Sequence, residues 1–267
     1  MLTEATSLKA DTAEGAIKGV NMALFTDGSI SNLEDLRAYE SSIFEVASTE
    51  RIDLSKKLAL AQQELETELG ALLRQRYERQ GLGDVVVTRP LRQWHVFQTL
   101  ALAYRDAYNS HLNDRYLGKW KEYLKLAQWA WGKLLESGIG IAQSPIPKAA
   151  LPRVIAGVGS LAGGTYWIRV AWTSAAGEEG CPSDPANLAV PDGSSLVVEA
   201  VNPPGNATGW NVYVGPSAGE TRRQNGEPMA PGASWQLADP PSTDGDPAGE
   251  GQAASYFLTQ RRVLQRG

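Results

Sequence analysis

Two histidines and one cysteine are all the imidazole and thiol chemistry in this 267-residue chain. A lone Cys181 excludes an internal disulfide and a cysteine-based zinc site. His95 sits beside Trp94 on an expected helix, and His111 lies near that helix's end. Neither has a second histidine at ligand spacing, so both read as structural or solvent-facing residues. Cys181, in Gly180-Cys-Pro-Ser183, has no base beside it and reads as a turn residue. Glu64, Glu66 and Glu68 follow Lys56 and Lys57 on one helix, the pattern of a solvated face. Gly157, Gly159, Gly163 and Gly164 precede an expected strand rather than a helix, so they lack the setting that cradles phosphate. They read as loop glycines. No P-loop, dinucleotide fingerprint, G-x-S-x-G or H-E-x-x-H run is present. No metal and no cofactor is expected, and the residue types favour a binding or structural protein over an enzyme.

The elements around these residues divide the chain. Of 15 prolines only Pro90 precedes residue 145. Proline inside a helix costs about 3 kcal/mol, so helices belong before that point and strands after it. The apolar fraction of 42% and charged fraction of 21% are those of a globular protein. No 18-residue apolar run exists, so no membrane span is expected. Acids near the N-terminus stand where a secretion signal carries bases, so the chain is expected in the cytoplasm of the cell that makes it. Charge is uneven. Residues 1–150 carry 18 basic and 19 acidic side chains, residues 151–250 carry 4 and 11, and the last 17 carry three arginines and no acid. The acidic middle repels nucleic acid, and the basic tail is too short to be a general DNA-binding domain.

Four helices are expected over residues 30–144. Ser31 with Glu34 suggests a capping box for a helix over about 32–48. Asp53 caps a second, whose stripe is Leu54, Leu58, Ala61, Leu65, Leu69, Leu72 and Leu73. Pro90 opens a third, with Leu91, Trp94, Phe97, Ala101, Tyr104 and Tyr108 inward. The fourth spans about 114–136, with Leu117, Trp120, Leu124, Ala127, Trp131 and either Leu134 or Leu135 inward and Gly138 just beyond its end. Nine aromatic residues crowd this last pair. A bundle core uses most of them, but Trp94, Trp120, Trp129 and Trp131 are also candidates for a subunit interface, where tryptophan is enriched. Trp129 and Trp131 cannot share a helix face, so one is expected to be exposed.

Residues 145–238 read as an antiparallel sandwich. Tyr166, Ile168, Val170 and Trp172 alternate with Trp167, Arg169, Ala171 and Thr173. Further strands are expected at 195–201, 209–214 and 234–237, with Pro191-Asp-Gly and Asn225-Gly turns between them. Residues 239–254, rich in Pro, Gly and Asp, read as an extended flexible linker. The apolar-basic segment beyond it holds Tyr256, Phe257, Leu258, Arg261, Arg262, Val263 and Leu264. Residues 1–29 are poorly patterned and read as an arm, within which Ala23-Leu-Phe-Thr26 is open to being a strand or a stretch that lies on a neighbour. The fold class is therefore α+β multidomain: an N-terminal helical bundle, an antiparallel immunoglobulin- or fibronectin-like sandwich, and a flexible C-terminal tail.

The stretch from Ile30 to Leu65, with its Ile52-Asp-Leu54 cap and Ala61-Gln-Gln-Glu-Leu65 segment, resembles head-to-tail adaptor (connector) proteins of tailed bacteriophages. Thr165–Thr173, the Ala176-Gly-Glu-Glu-Gly180 turn and Gly209-Trp-Asn-Val-Tyr-Val214 resemble immunoglobulin- or fibronectin-type modules inserted in phage structural proteins. The two resemblances span roughly 30–238. They imply a virion protein of the neck, assembled in the host cytoplasm as a homo-oligomeric ring of about twelve copies beneath the portal. They imply passage of double-stranded DNA through the ring, a tail or next-connector protein as second partner, and a C-terminal segment that reaches the portal protein. On that basis Tyr256, Phe257 and Leu258, with Val263 and Leu264, are expected in apolar portal pockets, Arg261 and Arg262 opposite acids, and the acidic sandwich on the outer rim. The competing expectation is a fibre or decoration protein whose sandwich stacks Trp167 or Trp235 on a surface carbohydrate.

Overall fold

The computed structural model describes residues 23–76, 79–111 and 114–259, without the side chains of Arg76 and His111. The fold is α+β. Five helices precede two packed antiparallel sheets and a small two-stranded sheet.

The helices are α1 (Leu33–Tyr39), α2 (Ile43–Glu50), α3 (Leu54–Arg76), α4 (Arg89–His111) and α5 (Asp114–Ser137). The single first helix expected over 32–48 is two. The cap also differs by one position: Asn32, not Ser31, closes a reciprocal box with Asp35. Ser31 is buried and spends its hydroxyl on His95. Between α1 and α2 the chain turns at Glu40, whose carboxylate is held from outside the turn, as described below.

α4 is the central rod and packs on each of the other four helices. Leu91, Trp94, Val96, Phe97, Leu100, Ala103 and Tyr104 are all buried, so this helix is apolar nearly all round. α3 buries Leu54, Leu58, Ala61, Leu65, Leu69 and Leu73, the expected stripe. Each buried leucine contributes about 1.5–3 kcal/mol. α5 is rotated in part from expectation: Ala127 and Leu134 are buried and Trp120 and Trp131 pack on the core as expected, but Tyr116, Tyr123 and Ala130 are buried too and Leu124 is exposed. Tyr104 stacks on Tyr123 at 5.7 Å and contacts Tyr116 at 6.1 Å, which fixes that face inward.

Beneath the helices four distant segments lie side by side. Leu24 bridges Val86, Val85 bridges β1 (Ile139–Ile141), and β1 pairs antiparallel with the last described strand, β9 (Tyr256–Leu258). Leu24 and Phe25 are buried, so residues 23–29 belong to the body rather than to a free arm. Residues 1–22 lie outside the described residues. Gly138 and Gly140 allow the close pairing. Gly138 has φ +93°, and a Cβ on it would lie 3.0 Å from Phe257 Cβ.

The sandwich sets β2 (Arg153–Leu161), β5 (Ser194–Glu199) and β8 (Ser234–Leu237), in the order β2-β5-β8, over a second sheet. That sheet holds β3 (Gly164–Ser174), β4 (Ala186–Val190), β6 (Ala207–Gly215) and β7 (Arg222–Arg223), in the order β4-β3-β6-β7. Ile168, Val170 and Trp172 share a face as expected, and that face is the inward one, opposite Val214, Val212 and Trp210. β2 has no counterpart in the expected strands: Gly157 and Gly159 are strand residues, not loop glycines. A Cβ at Gly157 would lie 2.7 Å from Ser195 Oγ, and one at Gly159 would lie 2.6 Å from Ser194 O. Glycine there lets β2 approach β5.

Residues 239–254 are extended but docked, which corrects the flexible-linker expectation. Arg223 N donates to Asp246 O at 2.9 Å, and Gln224 Nε2 donates to Ser242 O at 3.0 Å. Gln252 is buried. Its Oε1 accepts from Ile146 N at 3.0 Å, and its Nε2 donates to Ser144 O at 3.1 Å and Glu178 Oε2 at 2.9 Å. Ser255 N then donates to Ile141 O at 2.8 Å, and Gln143 N donates to Ser255 Oγ at 3.0 Å. The chain therefore leaves the helical unit after β1, forms the sandwich, and returns as β9. The sandwich is an insertion in the helical unit.

Candidate functional site

The groups with reactive chemistry are committed to the scaffold. His95 is fully buried, and burial pushes its imidazole down to about 4, so it is neutral at pH 7. Nε2 lies 3.0 Å from Leu58 O, which can only accept, so Nε2 carries the proton. Nδ1 accepts from Ser31 Oγ at 2.6 Å. Burial, with Asp27 nearby, pushes the Cys181 thiol up to about 11, the opposite of an activated nucleophile. Among the described residues no cluster of three His, Cys, Asp or Glu is placed to hold a metal, and no helix is long and apolar enough to cross a membrane.

One buried polar cluster joins the helices. Burial pushes the Glu40 carboxyl up, but hydrogen bonds from Lys119, Ser42 and Tyr123 outweigh it and hold the carboxyl at about 2. Lys119 Nζ and Tyr123 Oη each lie 2.9 Å from Oε2, and Ser42 Oγ lies 2.8 Å from Oε1. Burial and the Glu40 charge raise the Tyr104 phenol to about 12. The cluster pins the α1–α2 turn to α5.

A cleft of about 320 Å³ lies where the helical unit meets the sandwich. Asp27, Arg92, Lys148, Arg169, Cys181 and Asp184 line it. Lys148 Nζ pairs with Asp184 at 2.6 Å, and Arg92 pairs with Asp35 at 3.1 Å. Asp27 Oδ1 accepts from Lys148 N at 2.7 Å, and burial raises its carboxyl despite that bond. Lys148 and Arg92 are thus paired, while Arg92 Nε and Arg169 Nε are buried without a hydrogen-bond partner among the described residues.

The contact residues expected from sequence separate into two groups. Trp94 is buried and meets Trp131 at 6.1 Å; Trp120 is half-buried and stacks on Tyr108 at 5.9 Å. These three tryptophans are occupied within the helical unit. Trp129 stays 51% exposed on α5, between Lys125 and Lys133 at one turn either way. Tyr256, Phe257 and Leu258 are not on a free tail. They pair with Ile141, Gly140 and Ile139, Leu258 packs on the helical core, and Tyr256 Oη accepts from Gln80 Nε2 at 3.1 Å. Phe257 nonetheless remains 52% exposed and Tyr256 38%. Arg261, Arg262, Val263 and Leu264 lie outside the described residues.

Trp129 and Phe257 sit on one continuous piece of structure. Phe257 lies against Gly138, nine residues and about 13 Å along the helix from Trp129. Sequence reasoning missed β1, the strand that holds Phe257 in place; its only trace is the Ile139-Gly-Ile141 alternation. The arrangement sets two exposed aromatic side chains, Trp129 and Phe257, on paired and helical backbone. No family model matches this chain, and a search of curated proteins returns no match.

Proposed function

We propose that this chain is a structural virion protein that forms a ring between the capsid portal and the tail of a tailed phage and extends the DNA channel. The observation that carries the reading is β9. It roots the C-terminal segment on the helical unit while presenting Phe257 and Tyr256 outward. The remaining basic-apolar residues leave from that root, so the portal-docking segment is Tyr256, Phe257, Leu258, Arg261, Arg262, Val263 and Leu264. A ring needs heterologous contacts between rigid faces. α5 with exposed Trp129 supplies one, while Trp94, Trp120 and Trp131 stiffen it from within. The helical unit is nearly neutral and does not trap DNA in transit. The sandwich is an immunoglobulin- or fibronectin-type module, placed on the outer rim by its acidic charge. No catalytic role is assigned. Of the two tryptophans named for the carbohydrate-binding alternative, Trp235 packs on the sandwich core, while Trp167 is half-buried outside that core.

Mixing purified portal with the full chain and imaging the product tests the reading. Wild type forms a ring of about twelve copies on the portal. Phe257→Ser weakens attachment, and deletion of residues 256–267 abolishes it. Undiminished attachment of the deletion variant overturns the proposal.

A further inference from the structure

The sandwich guards three of its four sheet edges. β4 has five residues and lies between Pro185 and Pro191. β7 is covered by the returning strap through Arg223–Asp246 and Arg222–Pro247. β8 has four residues and runs into Asp239-Pro240-Pro241. Prolines, short length and covering segments are the usual protections against edge-to-edge pairing.

β2 has them only at its end, where a bulge follows Val158 and Ser160 N donates to Ala238 O at 3.0 Å. Along Arg153–Val158 it pairs on one side only among the described residues, and it holds no charge or proline after Arg153. Alternate residues of such a strand aim their N–H and C=O groups away from the sheet. Leu161 is buried and Val154 packs on the core, but one apolar side chain on each face is left uncovered. Val158 is 93% exposed and Ile155 is 47% exposed. Val154, Ala156 and Val158 pair with the inward residues Val198, Leu196 and Ser194, so Val158 stands on the core side with nothing over it.

The geometry points to a second copy of this chain as the occupant: two β2 strands pair antiparallel about a two-fold axis at Ala156, joining two three-stranded sheets into one of six. A shared sheet keeps each residue on its own face, so the opposed numbers must have the same parity. With the axis at Ala156, Val154 opposes Val158, and Ile155 opposes Gly157, which has no side chain to clash. Arg153, which reaches Glu199 Oε2 of its own chain at 3.4 Å, opposes Gly159, beside Ser160. Ser160 Oγ donates to Ala238 O at 2.7 Å and lies 3.1 Å from the exposed Asp239 carboxylate. Each end of the pairing therefore matches the Arg153 end of one copy to the Asp239 end of the other, as an isologous contact requires. The pairing goes beyond the portal-ring reading and does not depend on it, since it uses the sandwich edge and leaves α5 and β9 free.

Sedimentation of the full chain without portal tests it. Wild type shows a concentration-dependent monomer–dimer equilibrium. Val158→Lys and Ile155→Lys each raise the dissociation constant at least tenfold with an unchanged thermal midpoint. Arg153→Asp weakens the dimer likewise, and Arg153→Asp combined with Asp239→Arg restores it, a rescue peculiar to self-pairing. A dimer that survives Val158→Lys overturns the proposal. So does a wild-type chain that is monomeric at every concentration. If the outward β2 amides of such a monomer resist hydrogen exchange until residues 1–22 are removed, the occupant is this chain's own N-terminal segment. Portal attachment of Val158→Lys is measured separately and stays at the wild-type level, so the two readings fail independently.

Discussion

Glu40 and Tyr123 meet at 2.9 Å, carboxylate to phenol, across the junction between the α1–α2 turn and the middle of α5. The contact decides which face of α5 is buried. It also leaves a titration signature. A folded-state value of about 2, against an ordinary 4.5, means that the stabilisation is complete above 4.5 and is lost as pH falls towards 2. Its size is about 3 kcal/mol. Glu40→Gln is expected to lower stability at pH 7 by up to that amount and to flatten the acid limb. Urea unfolding at pH 7 and pH 3 measures both effects.

His95 titrates in a different window. Its imidazole falls from 6.5 to about 4 on folding, so the unfolded chain takes up the proton first. Stability is complete above pH 6.5 and declines as pH falls to about 4. His95→Asn is expected to remove that slope and to cost about 2 kcal/mol at pH 7, because Ser31 and Leu58 lose buried partners. A series of unfolding midpoints from pH 8 to 4 reads the slope directly.

Gln252 is the buried pin of the strap. Gln252→Ala leaves Ile146 N–H, Ser144 O and Glu178 without its amide, a cost of about 1–3 kcal/mol. Limited proteolysis is expected to cut between residues 240 and 251 many times faster in the variant, while cleavage within α4 stays slow.

Trp129 bears on contact rather than stability. At 51% exposure, Trp129→Ser is expected to change the unfolding free energy by less than about 0.5 kcal/mol. Ring formation on purified portal should fall all the same. A stability loss above 2 kcal/mol would place the indole in the core instead.

The sandwich is separable in principle. Gln143 N and Ser255 Oγ lie 3.0 Å apart, so the insertion leaves and returns at nearly one point. Replacing residues 144–253 with a short Gly-Ser turn is expected to yield a helical unit that melts cooperatively. Circular dichroism gives the melt, and exchange protection at Gly140 and Phe257 reports whether β1 and β9 still pair.

These relationships differ in how well the sequence shows them. The α3 stripe from Leu54 to Leu73 is legible because no other face of that helix is apolar. α5 carries two apolar stripes at helical spacing, one through Leu117, Trp120 and Leu124 and one through Tyr116, Tyr123 and Ala130. The choice falls to Glu40 and Tyr104, which lie far away in the chain. β3 is legible from strict alternation. β2 is hidden because Gly157 and Gly159 break its pattern, although the close approach to β5 requires them. β9 is three residues long and has no strand signature apart from its partner β1. Its composition identifies a contact segment, but its anchorage is a tertiary fact. The docked strap was illegible for the same reason: Gln252 gives no sign in sequence that three partners await it.

The return of the chain through β9 sets how the molecule carries load. Leu258 pairs with Ile139, at the α5 end of the ladder, so tension applied at the C-terminal root and resisted by α5 opens the three pairs one at a time from that end. While the ladder holds, that tension reaches α5 without crossing the inserted module.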